Sequence, residues 1–292
     1  MTLRFSCCPC CEKNQFKKKK NYDFTSPNSP IDFFYGGWKD IEDMVTCLNC
    51  GFKFINTLVP EHELFYVNFG DDNQGYSDGG VQREQFFRSL KKSLKTSDGI
   101  DIDSFDTALD VGAGDGEFLL NLGMQTKKYA IEPSQKLTAN LQSNGITCFN
   151  KVSDLPSDLK FQLITLNDVL EHVENPTVFL DQVTRHLEGN GILLISVPDY
   201  SRLAARILGT KYYLTTPMHF SYFTWQSMKA LLSNRKDIQP VSIRKAPLMR
   251  ARLSDALKWF DINPSHKLTQ LLDKVPIGYR SNFISVSRKN NG

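Results

Sequence analysis

The chain has 292 residues, 40% hydrophobic and 23% charged, a size and mix that bury one substantial core and leave room for a small accessory module. Lys plus Arg number 35 against 32 Asp plus Glu, a net charge of +3, which removes any general electrostatic case for nucleic-acid or membrane-surface partners. No apolar run approaches the ~20 residues of a membrane span, and Met1 to Glu12 lacks the apolar stretch of a secretory signal, so a cytoplasmic location is expected.

The first predicted unit is a metal module. Six of the seven cysteines lie in the first fifty residues: Cys7, Cys8, Cys10, Cys11, Cys47 and Cys50. In a reducing compartment such clustering favours metal over disulfides. Cys8-Pro9-Cys10-Cys11 and Cys47-Leu48-Asn49-Cys50 each let a tight turn aim two sulfurs at one ion, and two such knuckles complete a tetrahedral four-thiolate zinc site. Cys7 and Cys10 share the spacing of Cys8 and Cys11; the Cys-Pro-x-Cys pattern favours Cys8 and Cys11, joined by Cys47 and Cys50. Gly51 offers the permissive backbone such a knuckle uses. With no open position, this zinc is structural. Lys17 to Lys20, the one conspicuous charge run, reads as a solvated loop. Residues 1–75 are taken as this module with an aromatic-rich link and turn signals such as Gly36-Gly37.

From Val81 to about 96 apolar positions recur at helical spacing, predicting an amphipathic linker helix. Strands and helices then alternate. Strands are predicted over Phe105–Val111, Lys127–Glu132, Thr147–Asn150, Phe161–Asn167 and Gly191–Val197, and helices over Gly116–Met124, Ser134–Asn144 and Thr177–Leu187. Buried parallel strands joined by crossover helices give this pattern, so the fold class is α/β with a doubly wound, mostly parallel seven-stranded sheet over 76–292. Cys148 falls in an apolar stretch and reads as core. A helix is expected over Thr224–Asn234, with Thr224 as N-cap and Gln226, Ser227 and Lys229 facing solvent. Val241–Arg244 and Phe283–Arg288 alternate as antiparallel strands would. Residues 246–278 between them read as a helical insertion in which Trp259 and Phe260 line an acceptor pocket or mediate self-association.

The chemistry falls at the strand ends, where open α/β sheets bind ligands. The first sheet strand runs into Asp110-Val111-Gly112-Ala113-Gly114-Asp115-Gly116-Glu117-Phe118, whose glycines at 112, 114 and 116 let backbone approach a ligand. The dinucleotide pattern wants its third glycine or alanine one place later, where Glu117 stands. Asp110 and Asp115 would repel a pyrophosphate but suit an ammonium and a sulfonium, which favours S-adenosylmethionine. Glu132, ending the second strand, is placed to accept from both ribose hydroxyls. Asp154 is placed to accept from the adenine amine, or else is a helix N-cap. Asn167 and Asp168, at the end of the fourth strand, are placed to meet the methionine part or the substrate.

The Asp110–Phe118 loop, Glu132 and the Asn167–Val173 segment resemble the motifs of class I S-adenosylmethionine-dependent methyltransferases over residues 80 to 200. Across the whole chain, the paired Cys-x-x-Cys knuckles, Cys50-Gly51-Phe52 and Pro217-Met218-His219-Phe220-Ser221-Tyr222-Phe223-Thr224 are similar to a subfamily with an N-terminal zinc ribbon. The resemblance implies a methyltransferase acting on sugars, glycan precursors or small secondary metabolites. Ribbon-bearing sugar C-methyltransferases carry a further C-terminal domain that this chain lacks room for.

Methyl transfer needs alignment of nucleophile and methyl group and exclusion of water. For a hydroxyl acceptor, histidine is the natural base near neutral pH, and His172 and His219 are the candidates. Each has a plainer reading, His172 as a support of the cofactor loop and His219 as a loop residue packed on Tyr222 and Phe220. Phe220, Tyr222 and Phe223 form either a wall over the methyl group or simple core. The expected partner is a small-molecule or glycan acceptor, with no membrane. The competing readings are methylation of nucleic acid or protein, and a ribbon that binds RNA or protein on a non-catalytic platform.

Overall fold

The computed structural model describes residues 5–20, 43–56, 80–208, 219–252, 276–279 and 282–291. In chain order these form strands β1 (Phe16–Lys20), β2 (Asp43–Cys47) and β3 (Lys53–Ile55), helix α1 (Gly80–Ser93), β4 (Thr107–Val111), α2 (Glu117–Leu120), β5 (Lys127–Ile131), α3 (Gln135–Ser143), β6 (Thr147–Phe149), β7 (Phe161–Asn167), α4 (Pro176–Thr184), β8 (Leu187–Pro198), α5 (Leu203–Leu208), β9 (Ser221–Tyr222), α6 (Trp225–Ser233), β10 (Ile238–Lys245), β11 (Met249–Arg252), β12 (Pro276–Tyr279) and β13 (Asn282–Lys289).

Among the described residues the large sheet has seven strands in the order β10-β13-β8-β7-β4-β5-β6. The run from β8 to β6 is parallel, and β13 and β10 close the edge antiparallel. The chain leaves β4 toward β5 and β6, then crosses to β7 on the other side, so the strand order reverses between β4 and β7. That reversal opens a crevice at the strands' carboxyl ends.

Alternate residues of each buried strand feed two cores. Leu109, Val111, Ile164, Leu166, Ile195 and Phe283 pack with α4 and α6 on one face. Ala108, Ala130, Leu163, Leu194 and Val286 pack with α1, α2 and Leu141 of α3 on the other. Two-sided burial explains why these strands read as near-continuous apolar runs.

The knuckle module packs on the first face: its buried cysteines, Phe52 and Phe54 belong to the same apolar cluster as Leu109 and Leu231. Its sheet is not its own. The order is β1-β2-β3-β9, and β9 pairs Tyr222 and Ser221 with Lys53 and Phe54. Phe52 lies against Phe223, ring centroids 5.0 Å apart. The side chain of Thr177 donates to the Pro9 carbonyl, Asn234 to that of Cys10 at 3.1 Å and Gln226 to that of Asn49 at 3.1 Å, so both knuckles are tied to α4 and α6.

Several local expectations need correction. Lys17–Lys20 is not a loop but part of β1, which among the described residues is an edge strand of the small sheet. Helix α2 stops at Leu120, where Asn121 caps it. The chain then passes so close to Asp103 that a Cβ on Gly123 would sit 2.9 Å from its carbonyl. Leu187 starts β8 rather than ending a helix. Ser227 does not face solvent: it is buried and completes a capping box with Thr224. Strands β11 and β12 pair with each other near the two ends of the 246–278 segment; the rest of it, 253–275 with Trp259 and Phe260, lies outside the described residues, as do Pro217 and Met218. Cys148 is half-buried.

Candidate active site and thiolate centre

At the crevice, Asp110 sits inside β4 in register with Thr165 of β7. It is 2% exposed; its Oδ1 accepts from the Thr165 hydroxyl at 2.5 Å and from the Asn167 amide at 3.3 Å. Burial outweighs these donors, and the negative charges of Glu132 and Asp115 add to it, so the carboxyl is pushed up to about 7. The loop that follows is bound to β5: the Gly112 and Ala113 amides donate to the Ile131 carbonyl at 2.8 and 3.1 Å. Gly112, Gly114 and Gly116 all have positive φ, at 70°, 56° and 78°. Two of them also lack space: a Cβ on Gly112 would lie 2.6 Å from the Val169 side chain, and one on Gly116 2.3 Å from that of Leu141. Glycine is needed there for conformation and for packing.

Glu132, 6% exposed, closes the loop from the far side. One carboxylate oxygen accepts from the Gly114 amide at 2.8 Å and the other from the Ser134 amide at 3.0 Å. Its lone pairs leave room for further donors. Asn167 Oδ1, beside Asp110, is buried with no hydrogen-bond partner, an acceptor waiting for a cationic or hydroxyl donor. Asp168 is in the left-handed region at φ 54°, and its carboxylate accepts from Asn282, which also donates to Ser196 at 3.0 Å. Asp115 is half-buried beside the loop, and Asp154 is an exposed residue ending a short 3-10 turn whose N-cap is Lys151, so it is not itself the cap. A buried acceptor group around a glycine cradle fits the ammonium and ribose of S-adenosylmethionine.

Beyond Asp168 a 3-10 turn carries Leu170, Glu171 and His172. The turn lies on the loop, since Val169 is the side chain facing Gly112. Glu171 is 1% exposed and His219 6%. The His172 and His219 rings meet edge-on with centroids 4.7 Å apart, and Glu171 Oε1 lies 4.0 Å from His172 Nε2. Burial first, and the charge of Asp168 second, push the Glu171 carboxyl well above the usual range. The two histidines are thus brought together. The aromatic run is core: Phe220, Tyr222 and Phe223 are each 1% exposed, Phe223 against Phe52 and Tyr222 against Tyr200.

In the knuckle module, the thiols of Cys8, Cys11, Cys47 and Cys50 are all buried and within 4.8 Å of one another. Cys8 and Cys50 sulfurs lie 3.6 Å apart, Cys11 and Cys47 3.5 Å. A tetrahedral zinc with bonds of about 2.3 Å spaces its sulfurs about 3.8 Å apart, so the donor set and spacing fit that ion. The knuckles match: the Glu12 amide donates to the Cys8 carbonyl and the Gly51 amide to the Cys47 carbonyl, at 2.8 and 3.0 Å. Glu12 and Gly51 both have positive φ, 59° and 71°. Cys7 is exposed. Cys10 is buried beside the group.

Three participants escaped the sequence reading. Thr165 becomes Asp110's donor only through strand register. Glu171 lay inside a motif already singled out, and a carboxylate between Leu170 and His172 was the available signal. Asn282 reaches Asp168 from the last strand, and nothing local marks it.

No curated protein matches this sequence. Among solved structures, the plantazolicin methyltransferase BpumL in complex with SAH is similar at TM-score 0.50 and 15% identity, over 79% of this chain and 97% of that one. BpumL with a monoazolic desmethylPZN analog and SAH gives TM-score 0.51 and 16% identity, over the same shares. At such identity the likeness establishes the fold. The family profile described as "Methyltransferase domain" matches residues 82–235, more than half of the 292, and the chain belongs to that family of methyltransferases.

Proposed function

We propose that this methyltransferase carries a methyl group from S-adenosylmethionine to an oxygen or carbon of a small-molecule or glycan acceptor. In this reading the catalytic unit is 76–292, and a structural zinc on Cys8, Cys11, Cys47 and Cys50 braces it from the 1–75 module. The observation that carries the reading is the buried acceptor set around the glycine loop: Asp110, the unpartnered Asn167 Oδ1 and Glu132. Asp110, with Asn167, holds the ammonium of the methionine part. Glu132 takes the ribose hydroxyls while fixing Gly114 and Ser134. Asp115 adds negative charge beside the loop, Asp154 faces the adenine amine, and Asp168 orders the rim through Asn282. The bound cofactor supplies an electrophilic methyl group, so the chain's work is positioning and exclusion of water. If the acceptor is a hydroxyl, a ring nitrogen of His172 or His219 receives its proton.

The small acceptor is favoured over nucleic acid because overall charge is nearly balanced. The test is calorimetric titration of S-adenosylmethionine and its demethylated product into zinc-replete protein. Saturable binding is expected, abolished in Glu132→Ala and weakened in Asp110→Asn, which preserves shape. Absence of binding to the folded wild type would refute the reading.

A further inference from the structure

Glu171 poses a chemical problem that the methyl-transfer reading leaves unsolved. The side chain is 1% exposed, and neither of its carboxylate oxygens has a hydrogen-bond partner. An ionised carboxylate so placed costs far too much without a counter-charge, and a protonated one still needs an acceptor for its hydrogen. Two imidazole rings lie beside it, and the Asp168 carboxylate is also close enough to act on it. One ligand atom each of Glu171, His172 and His219 lies within 4.8 Å of the other two. The two rings meet at 74° rather than stacked, so their nitrogens can converge with a carboxylate oxygen on one point.

We propose that Glu171, His172 and His219 form a second metal site, for a divalent first-row transition-metal cation, distinct from the four-thiolate centre. Two imidazole nitrogens and one carboxylate oxygen are a borderline donor set suited to Zn2+, Co2+, Fe2+ or Ni2+, whereas Mg2+ and Ca2+ prefer oxygen donors throughout. Three protein ligands leave positions open for water or an oxygen of the acceptor. The ligands are held from two directions. The 3-10 turn is closed by the His172 amide on the Val169 carbonyl at 3.0 Å. His219 is followed by Phe220, whose carbonyl accepts from the Ile55 amide at 2.9 Å, and by β9 paired with β3. The site rests on this geometry, not on the acceptor class proposed above. It also separates two roles for the histidines, because a proton acceptor needs no metal.

The experiment uses full-length protein whose thiolate centre has been filled with one equivalent of Zn2+, titrated with Co2+ and followed by optical absorption. One further equivalent is expected to bind. It should show weak visible ligand-field bands and none of the intense near-ultraviolet charge transfer of cobalt–thiolate bonds. Glu171→Gln and His219→Ala should each weaken Co2+ binding at least about tenfold, since even outer-shell partners of metal ligands are worth that much. If either variant fails to fold, proton NMR of Co2+-loaded wild type decides, with hyperfine-shifted ring resonances expected from two imidazoles. No second equivalent in wild type overturns the proposal. So does a second equivalent with thiolate charge transfer, or one retained at full affinity by folded Glu171→Gln. S-adenosylmethionine titration of the same samples keeps this outcome separate from failure of the methyltransferase reading.

Discussion

Asp110→Asn should make the ligand-free protein more stable at alkaline pH while weakening its hold on the cofactor. The Asp110 carboxyl is pushed up to about 7 from an ordinary 3.8, and it is fully buried, so no solvent discount applies. Below the unfolded value both states are protonated and nothing is lost. Between the two values the unfolded chain gives up its proton while the folded one keeps it, so stability falls as pH rises and levels off above the folded value. Three units correspond to about 4 kcal/mol in full, of which about 2 kcal/mol falls between about pH 5.5 and about pH 8. Urea unfolding of zinc-replete wild type and Asp110→Asn at those two pH values reads the difference directly: wild type should lose about 2 kcal/mol more than the variant. Parallel losses in the two proteins would refute the reasoning. A cofactor ammonium would restore the ionised form, so binding near neutrality should release a proton, visible as buffer-dependent heat in titrations run in two buffers of different protonation enthalpy.

Three further outcomes follow from the geometry. Gly116→Ala combines a left-handed φ, costing about 1–2 kcal/mol, with a Cβ pressed on the fully buried Leu141, costing about 1–3 kcal/mol more. Denaturant unfolding should show the combined loss, and an unchanged midpoint would contradict it. Glu12→Gly should relieve the non-glycine left-handed residue of the first knuckle and raise stability by about 0.5–1 kcal/mol; a fall in melting temperature would count against it. Chelation of the thiolate metal should lower the melting temperature of the whole chain in a single transition, because the knuckles share a core with the main sheet. A calorimetric trace with an unaltered main transition would show the module to be independent.

Much of the fold was legible because buried parallel strands announce themselves. Phe161–Asn167 was read at its observed bounds, being an apolar run between turn residues, and the Thr224 cap was visible from its side chain. The two misread strand segments share a cause, which is that their pairing partners lie far off in sequence. Lysines are poor strand formers, and only pairing with Asp43–Cys47 makes Phe16–Lys20 a strand. Leu187 looked helical because α4 runs toward it, yet it pairs with Phe161. At the site, the glycine loop, Glu132 and the histidines could be named from local pattern. That Glu132 holds the Gly114 amide, and that Glu171 is stranded between two imidazoles, depends on packing no motif encodes.

The pairing of Lys53 and Phe54 with Tyr222 and Ser221 also bears on the order in which the molecule is made. A chain growing from its amino terminus exposes both knuckles early, and local turns suffice to hold a metal ion. The small sheet nevertheless stays one strand short, with Phe52 lacking the ring of Phe223, until the central strands and β9 have been synthesised. During that interval β3 presents an open edge to any other extended segment. Closure over so long a stretch of sequence is entropically late, so the knuckle module, made before the strands that complete it, is among the last parts of this enzyme to be finished.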